Sequence, residues 1–212
     1  MLRLLDRSLL CAEENVALDA AQFQAVEAGA EDETLRLWET PARVVVLGRS
    51  GLISNEVQRE VCAADGVAVL RRDSGGGAVL LGPGCMSYSL LLSVEKHPRL
   101  RDVRLSYRLI LGCLVRALAV PGLEIRGVSD LAIGGRKVSG SAQRRGRHAL
   151  LHHGTLLYQF ESRWVERYLK QPSRQPDYRS GRRHADFLGN LPLSCDQIRT
   201  RLALVPEFLC PR

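Results

Sequence analysis

The amino-acid sequence predicts an α+β fold built on a mixed sheet. Short apolar, β-branched runs often follow one another directly, and the helical segments lie between groups of these runs. This order is untypical of a repeating strand–helix–strand arrangement and favours strands that pair with their neighbours. A length of 212 residues with 45% hydrophobic residues suits one compact domain with a complete core.

The first half of the chain begins with a predicted helix over residues 13–28, which is rich in helix formers and lacks proline and glycine. Its acidic residues lie in the first turn, where they complement the helix dipole. A second helix is predicted over 55–64, with Asn55 as its N-cap residue. Strands separated by turn signals are predicted over 34–38, 43–47, 67–70, 79–81 and 86–94.

The second half contains an amphipathic helix over 103–118, where apolar residues recur every three to four positions. Gly134-Gly135 predicts a hairpin-type turn. Ser194 and Gln197 form the capping-box pattern of a last helix. Strands are predicted over 123–125, 131–133, 136–142 and 148–158.

Between the strands predicted over 67–70 and 79–81 lies a loop with the sequence RRDSGGGAV. The three glycines from Gly75 to Gly77 are costly, because glycine loses more backbone entropy on folding than any other residue. One interpretation is a tight hairpin turn. The other is that bare backbone amides approach an anionic ligand. Arg71 and Arg72 favour the second interpretation, because guanidinium groups match phosphate and carboxylate oxygens.

A second group of polar residues occupies the strands predicted over 136–142 and 148–158. Lys137 and Ser139 share one face of a strand, since side chains two positions apart point the same way. A lysine that is only solvated is the alternative interpretation. His152 and His153 are adjacent, so they point to opposite faces and would not both hold one zinc ion.

Three motifs follow one another along the chain: RRDSGGGAV, SDLAIGGRKVSGSAQRR and LHHGTLL. In this order and spacing they resemble the lipoate–protein ligase and octanoyltransferase family, and the resemblance extends from about Glu14 to about Asn190. It implies a largely antiparallel sheet flanked by helices, like the catalytic domains of biotin protein ligases and class II aminoacyl-tRNA synthetases. The whole chain, 1–212, would then be one catalytic domain without the C-terminal accessory domain of the larger ligases.

The resemblance also implies a reaction. In the ligases, lipoate or octanoate attacks the α-phosphate of ATP, and the acyl-adenylate then acylates a lysine of a lipoyl carrier domain. Lys137 matches the lysine that holds the carboxylate and the phosphate. Asp130 matches an acidic position and is the candidate ligand of Mg²⁺, which prefers carboxylates together with phosphate oxygens.

Two further sets of residues match family positions. The nucleotide-binding set is Arg72, Ser74, Gly75, Gly76, Gly77, Ala78, Val79 and Leu80. The set expected to line the acyl tunnel or to support Lys137 is His153, Gly154 and Thr155. Leu81 departs from the pattern, since several relatives have histidine there.

The resemblance and the charge also predict partners. A net charge of +7 suits an acidic lipoyl domain. For a ligase of this length there are two alternatives: a separate accessory chain replaces the absent domain, or the protein is a compact single-domain type. A nucleic-acid-binding module is the alternative suggested by two clusters of arginines, but aromatic residues are few and no RNA-binding signature is present. The clusters are Arg144, Arg145 and Arg147, and Arg179, Arg182 and Arg183.

The main alternative reaction is an acyltransferase that takes octanoate or lipoate from a carrier protein through a cysteine thioester. Residues 127–131 and 148–155 contain no cysteine, and Cys85 is the one nearest the predicted site in sequence.

The six cysteines form no C-x-x-C pair, and no apolar run reaches the roughly 20 residues of a membrane span. We therefore expect reduced thiols in a cytoplasmic protein that binds no membrane.

Overall fold

In the computed structural model, which describes residues 2–172 and 174–209, two sheets are packed among helices. The strands are β1 (Arg3–Asp6), β2 (Thr34–Trp38), β3 (Val44–Leu47), β4 (Ala68–Arg71), β5 (Val79–Leu81), β6 (Cys85–Ser93), β7 (Leu123–Arg126), β8 (Asp130–Ile133), β9 (Arg136–Arg145) and β10 (Ala149–Leu157). The large sheet has the order β1-β2-β6-β10-β9-β8-β7, and the small sheet has the order β4-β3-β5. Only β1–β2 and β3–β4 pair in parallel among the described strands, so the predicted mixed, largely antiparallel α+β fold is confirmed.

Helices cover the sheets and join them. They are α1 (Ala12–Glu27), α2 (Ile53–Glu56), α3 (Arg59–Ala64), α4 (Val103–Leu118), α5 (Arg163–Tyr168), α6 (His184–Phe187), α7 (Cys195–Leu202) and α8 (Val205–Leu209), with short 3₁₀ helices at Pro98–Arg101 and Asp177–Arg179. Among the residues described, no helix combines the length and apolar character needed to cross a membrane.

The large sheet buries both of its faces. On one face, Leu90 and Leu92 of β6 pack with Ile110 of α4, as expected for an amphipathic helix whose apolar stripe faces the core. On the other face, Leu91 packs with Phe23 of α1. Because alternate residues of a strand point to opposite faces, β6 contributes to both cores and is buried along almost its whole length.

The helix predicted over 55–64 is wrong as one element. Val57 has an extended backbone and forms a bridge with Leu169, which separates α2 from α3. Its side chain is almost fully buried, so tertiary packing overrides the local helix propensity. Asn55 lies inside α2 rather than at its N-cap, which is Leu52.

Candidate active site

The glycine-rich loop, residues 72–78, is not a hairpin turn. β4 and β5 lie on opposite sides of β3, so the loop crosses the end of β3 to join them. Gly48, directly after β3, leaves no room for a Cβ atom against the carbonyl of Gly76. Gly76 has φ of +89°, a conformation that glycine adopts readily. The hairpin interpretation is therefore wrong, and the backbone of the loop packs closely against Gly48; approach of the loop amides to an anionic ligand stays a prediction.

Arg72 holds this loop in place. Its guanidinium donates to Ser74 Oγ at 2.9 Å and to the backbone carbonyls of Val46 at 3.0 Å, Gly75 at 2.7 Å and Gly77 at 2.9 Å. Burial lowers the pKa of Arg72 to about 10, so the side chain stays charged at neutral pH. Arg72 thus fixes the loop, in addition to any contact with a ligand.

Glu56 of α2 binds the opposite side of the loop. The backbone amide of Ala78 donates to Glu56 Oε2 at 2.5 Å. The amides that the sequence predicted as anion donors are therefore in part directed at a carboxylate of the chain itself. Arg71 has a separate role, since it donates to the carbonyls of Gly48, Arg49 and Gly51 in the turn after β3.

Lys137 lies on β9 and forms an ion pair with Asp130 of β8. Its Nζ is 2.8 Å from Asp130 Oδ1, and the hydroxyl of Tyr178 donates to Asp130 Oδ2 at 2.8 Å. The Lys137 side chain is 28% exposed, whereas that of Asp130 is 7% exposed. No motif of the sequence pointed to Tyr178, which is 48 positions from Asp130 along the chain.

Asp130 is the candidate ligand for Mg²⁺, but its carboxylate already contacts Lys137 and Tyr178 and does not line the cavity, so only the lone pairs that these contacts leave are available to the ion. Within the described ranges, no group of three or more His, Cys, Asp or Glu side chains could hold a metal alone. Mg²⁺ commonly binds through one or two carboxylates and takes its remaining ligands from water and phosphate oxygens. Oδ2 of Asp130, which accepts one hydrogen bond from Tyr178, retains a lone pair for such an ion.

The two adjacent histidines of β10 face opposite sides of the large sheet. His153 lines the cavity next to the loop, and its Nε2 lies 2.6 Å from Ser74 Oγ. His152 is fully buried behind the sheet, where Gln143 Nε2 lies 3.0 Å from its Nδ1. Burial lowers the pKa of each ring to about 3, so both are neutral at pH 7. His153 supports the glycine-rich loop rather than Lys137.

A cavity of about 650 Å³ brings the predicted residues together. Its size is typical of a site for a small molecule or cofactor. Apolar side chains that include Trp38, Leu157 and Phe160 form part of its wall. The predicted residues that line it are Arg72, Ser74, Gly76, Gly77, Ala78, Val79, Leu80, Lys137, His153, Gly154 and Thr155.

Gly75 and Asp130 lie outside that lining. Gly75 is exposed, and its carbonyl accepts from Arg72. Asp130 contacts Lys137, which lines the cavity, but does not line it itself. Gly154 does line the cavity, and a Cβ there would lie 2.6 Å from the carbonyl of Gly140, so it permits close packing between β9 and β10.

No cysteine of the described residues lines this cavity. Cys85, the predicted nucleophile of the alternative reaction, is 1% exposed at the start of β6. Burial raises the pKa of its thiol to about 12, so it is protonated at neutral pH. Since the thiolate is the nucleophile, Cys85 lacks both access and ionisation.

Most arginines of the two clusters contact other groups of the chain, whereas Arg147 is exposed. Arg145 donates to the carbonyls of Leu100 and Arg101, and Arg144 pairs with Asp73. The other cluster is engaged in the same way: Arg179 is buried, Arg182 donates to backbone carbonyls, and Arg183 pairs with Glu166. These contacts engage part of the donors of the two clusters within the protein itself.

Comparison with known proteins gives consistent matches. Residues 11–200 match the family model described as the lipoyl protein ligase A/B catalytic domain. A putative lipoate-protein ligase A of Aeropyrum pernix is 36% identical over 146 residues, which are 68% of this chain and 52% of that protein. Octanoyltransferase LipM of Clostridioides difficile is 28% identical over 178 residues, which are 74% of this chain and 64% of that protein. The chain thus spans about half to two thirds of the length of these relatives.

Two solved structures have a similar fold. One is a bipartite lipoate protein ligase of Thermoplasma acidophilum, described with its E2 lipoyl domain, with a TM-score of 0.81 and 23% identity over 97% of this chain and 82% of that one. The other is a lipoate-protein ligase A bound with ATP, with a TM-score of 0.78 and 23% identity over 97% of this chain and 83% of that one. At this level of identity the likeness establishes the fold.

Proposed function

The chain belongs to the family of lipoyl protein ligase A/B catalytic domains, and from that premise we propose that it is an ATP-dependent lipoate–protein ligase. In this reaction an oxygen of the lipoate or octanoate carboxylate attacks the α-phosphorus of ATP and pyrophosphate leaves. The acyl carbon of the acyl-adenylate is then attacked by a lysine amine of a lipoyl domain, which forms an amide and releases AMP. Both steps develop negative charge on phosphate oxygens.

One observation carries the proposal: the cavity combines a glycine-rich anion loop with the cation of Lys137, and no described cysteine lines it. A ligase needs the cation and the loop, whereas a thioester-forming transferase needs a reactive thiolate. The ATP-bound neighbour supports a nucleotide in this fold.

Each group has a part in the proposed reaction. Lys137 holds the carboxylate and the α-phosphate together, so that the two reactants meet in the required geometry. Arg72 keeps the loop ordered, and the loop backbone positions the nucleotide. The apolar wall, which includes Trp38 and Phe160, holds the acyl chain and excludes water. Asp130 would be the carboxylate of this chain that holds Mg²⁺, and the ion would supply neutralisation of the phosphate charge.

The partners belong to the same proposal. An acidic lipoyl domain suits the exposed Lys170 and Arg174 beside the cavity. The bipartite ligase of Thermoplasma acidophilum supports the involvement of a separate accessory chain. Raising the salt concentration should therefore slow transfer to the carrier more than adenylate formation. Equal sensitivity of the two half-reactions would remove electrostatic steering from the proposal. A cytoplasmic location stays a prediction.

Intact-mass spectrometry of an apo lipoyl domain tests the reaction. One sample contains this protein with octanoate or lipoate, ATP and Mg²⁺, and the other contains octanoyl-acyl carrier protein without ATP. We expect modification only in the first sample, with an accessory chain added if the protein alone is slow. Modification only in the second would make the chain an acyltransferase, as the similarity to the octanoyltransferase of Clostridioides difficile allows.

A further inference from the structure

Arg179 is a buried arginine on the wall of the cavity, and the reaction as described does not use it. Only 4% of the residue is exposed. Its Nε donates to the carbonyl of Arg182 at 2.9 Å and its Nη2 donates to Gln171 Oε1 at 2.7 Å. Within the described parts of the chain, its Nη1 has no hydrogen-bond acceptor and no carboxylate lies within ion-pair distance of the guanidinium. A guanidinium on a cavity wall that has a free donor and no carboxylate beside it is suited to an anionic ligand.

The segment that carries Arg179 is fastened to the strand of Lys137. Tyr178, the preceding residue, donates to Asp130, the ion-pair partner of Lys137. Further along the same segment, Leu188 forms a bridge with Lys137, and the amide of Gly189 donates to the carbonyl of Lys137 at 2.9 Å. Arg179 therefore lines the cavity that contains Lys137, on a wall attached to β9.

The local field on this wall is positive. Arg182, the neighbour of Arg179, is also a cation. The guanidinium carbons of Arg179 and Arg182 lie 4.8 Å and 5.3 Å from the centre of the Phe187 ring. Burial, and then the charge of Arg179, lowers the pKa of His184, so its ring adds no charge of its own at pH 7. Lys170 and Arg174 also line the cavity and are exposed. An anion with several charges suits this wall better than a single carboxylate does.

We propose that Arg179 is the cation of a second anion subsite, which binds the β- and γ-phosphates of ATP and then the departing pyrophosphate. This inference rests on the proposed ligase function and extends it. When the carboxylate oxygen bonds to the α-phosphorus, the bond from that phosphorus to the bridging oxygen breaks, and its electron pair goes to the pyrophosphate. A guanidinium fixed at that end neutralises the charge that develops there, while Lys137 and the glycine-rich loop act on the α-phosphate.

The test compares Arg179→Met with Arg183→Met in the full chain. Arg183 is the matched control, because it lies on the same segment and carries the same charge, but it is exposed, pairs with Glu166 and does not line the cavity. Titration calorimetry with inorganic pyrophosphate is the first measurement. We expect Arg179→Met to weaken pyrophosphate binding at least tenfold and Arg183→Met to change it less than twofold.

Half-reaction kinetics give the second measurement. Synthetic octanoyl-AMP carries only the α-phosphate, so Arg179→Met should slow adenylate formation from ATP at least tenfold and leave acyl transfer from octanoyl-AMP within twofold. Thermal unfolding monitors folding of each variant. If Arg179→Met does not fold, Arg179→Lys replaces it, with weaker pyrophosphate binding and unchanged transfer expected, because a lysine cannot make the bidentate contact.

Three results would overturn the subsite: unchanged pyrophosphate binding in the folded variant, equal slowing of both half-reactions, or a raised KM for octanoate alone. Failure of the ligase proposal looks different, because the wild-type protein would then make no octanoyl-AMP. In that case the direct pyrophosphate titration still decides whether Arg179 binds the anion.

Discussion

Replacing Arg72 by lysine should destabilise the ligand-free protein as well as weaken ATP binding. The guanidinium makes four hydrogen bonds that bind the glycine-rich loop to itself and to β3. A lysine carries one nitrogen with three donors and cannot reach the carbonyls of the loop and that of Val46 in β3 at the same time.

The magnitude follows from the bonds that are lost. A hydrogen bond to a charged group contributes about 1.5–3 kcal/mol when buried, but Gly75 and Gly77 are exposed and their carbonyls can bind water instead. If lysine keeps one of the two contacts to Val46 and Ser74, one such bond is lost, and we expect a loss of roughly 1.5–3 kcal/mol in the free energy of unfolding. ATP affinity should fall at least tenfold, because nucleotide binding must then also order the loop.

Urea denaturation without ligand and titration calorimetry with ATP give the two quantities. Arg71→Lys is the control, since Arg71 is adjacent but holds the turn after β3; we expect it to retain most of the ATP affinity. If Arg72→Lys lost ATP binding with an unchanged free energy of unfolding, Arg72 would act only on the nucleotide and the loop-fixing role would be refuted.

Three further predictions concern the site and its support. Lys137→Ala should slow both half-reactions at least a hundredfold. It should reduce the free energy of unfolding by only about 1–3 kcal/mol, because Asp130 keeps its hydrogen bond from Tyr178. Single-turnover kinetics test the first effect, with Lys96→Ala, at an exposed position, as the control. Gly76→Val should reduce ATP affinity at least tenfold, since φ is +89° and a Cβ would lie 3.1 Å from the Arg72 guanidinium. The control Gly75→Ala should retain ATP binding, because a Cβ there meets nothing within 4 Å. Normal ATP affinity of the valine variant in calorimetry would contradict this prediction. Finally, the unfolded chain protonates His152 below about pH 6.5 and the folded protein only near pH 3. His152 should therefore lower the stability by on the order of 1.4 kcal/mol per pH unit as the pH decreases between these values, and His153, whose pKa is equally lowered, by a similar amount. His152→Gln should remove about half of the combined slope in urea titrations at several pH values.

Local sequence signals predicted the elements whose structure is decided locally. The apolar period over 103–118 became α4, and both glycines of the Gly134-Gly135 turn have the positive φ that such a hairpin turn requires. The capping box of Ser194 and Gln197 is formed at α7 as predicted. The helix over 55–64 was wrong because Val57 pairs with Leu169, and no local pattern encodes a partner so far along the chain.

The same distinction holds for the candidate site. Its glycines and Lys137 belong to compact motifs and could be found from the sequence. Glu56, Tyr178 and Arg179 could not, because each is an ordinary helix or turn residue until the fold brings it to a loop or strand far away in sequence. Their roles arise from long-range contacts, which composition and spacing do not reveal.

The glycine-rich loop is held by opposite charges on its two sides, with Arg72 on its carbonyls and Glu56 on the amide of Ala78. A loop with three consecutive glycines would otherwise lose much conformational freedom each time a nucleotide binds. Because these side chains already impose one conformation, that cost is met during folding of the chain rather than on ligand binding. In the proposed ligase reaction, an arriving phosphate would exchange with the carboxylate of Glu56 at the amide of Ala78, and the loop backbone would keep its conformation from one turnover to the next.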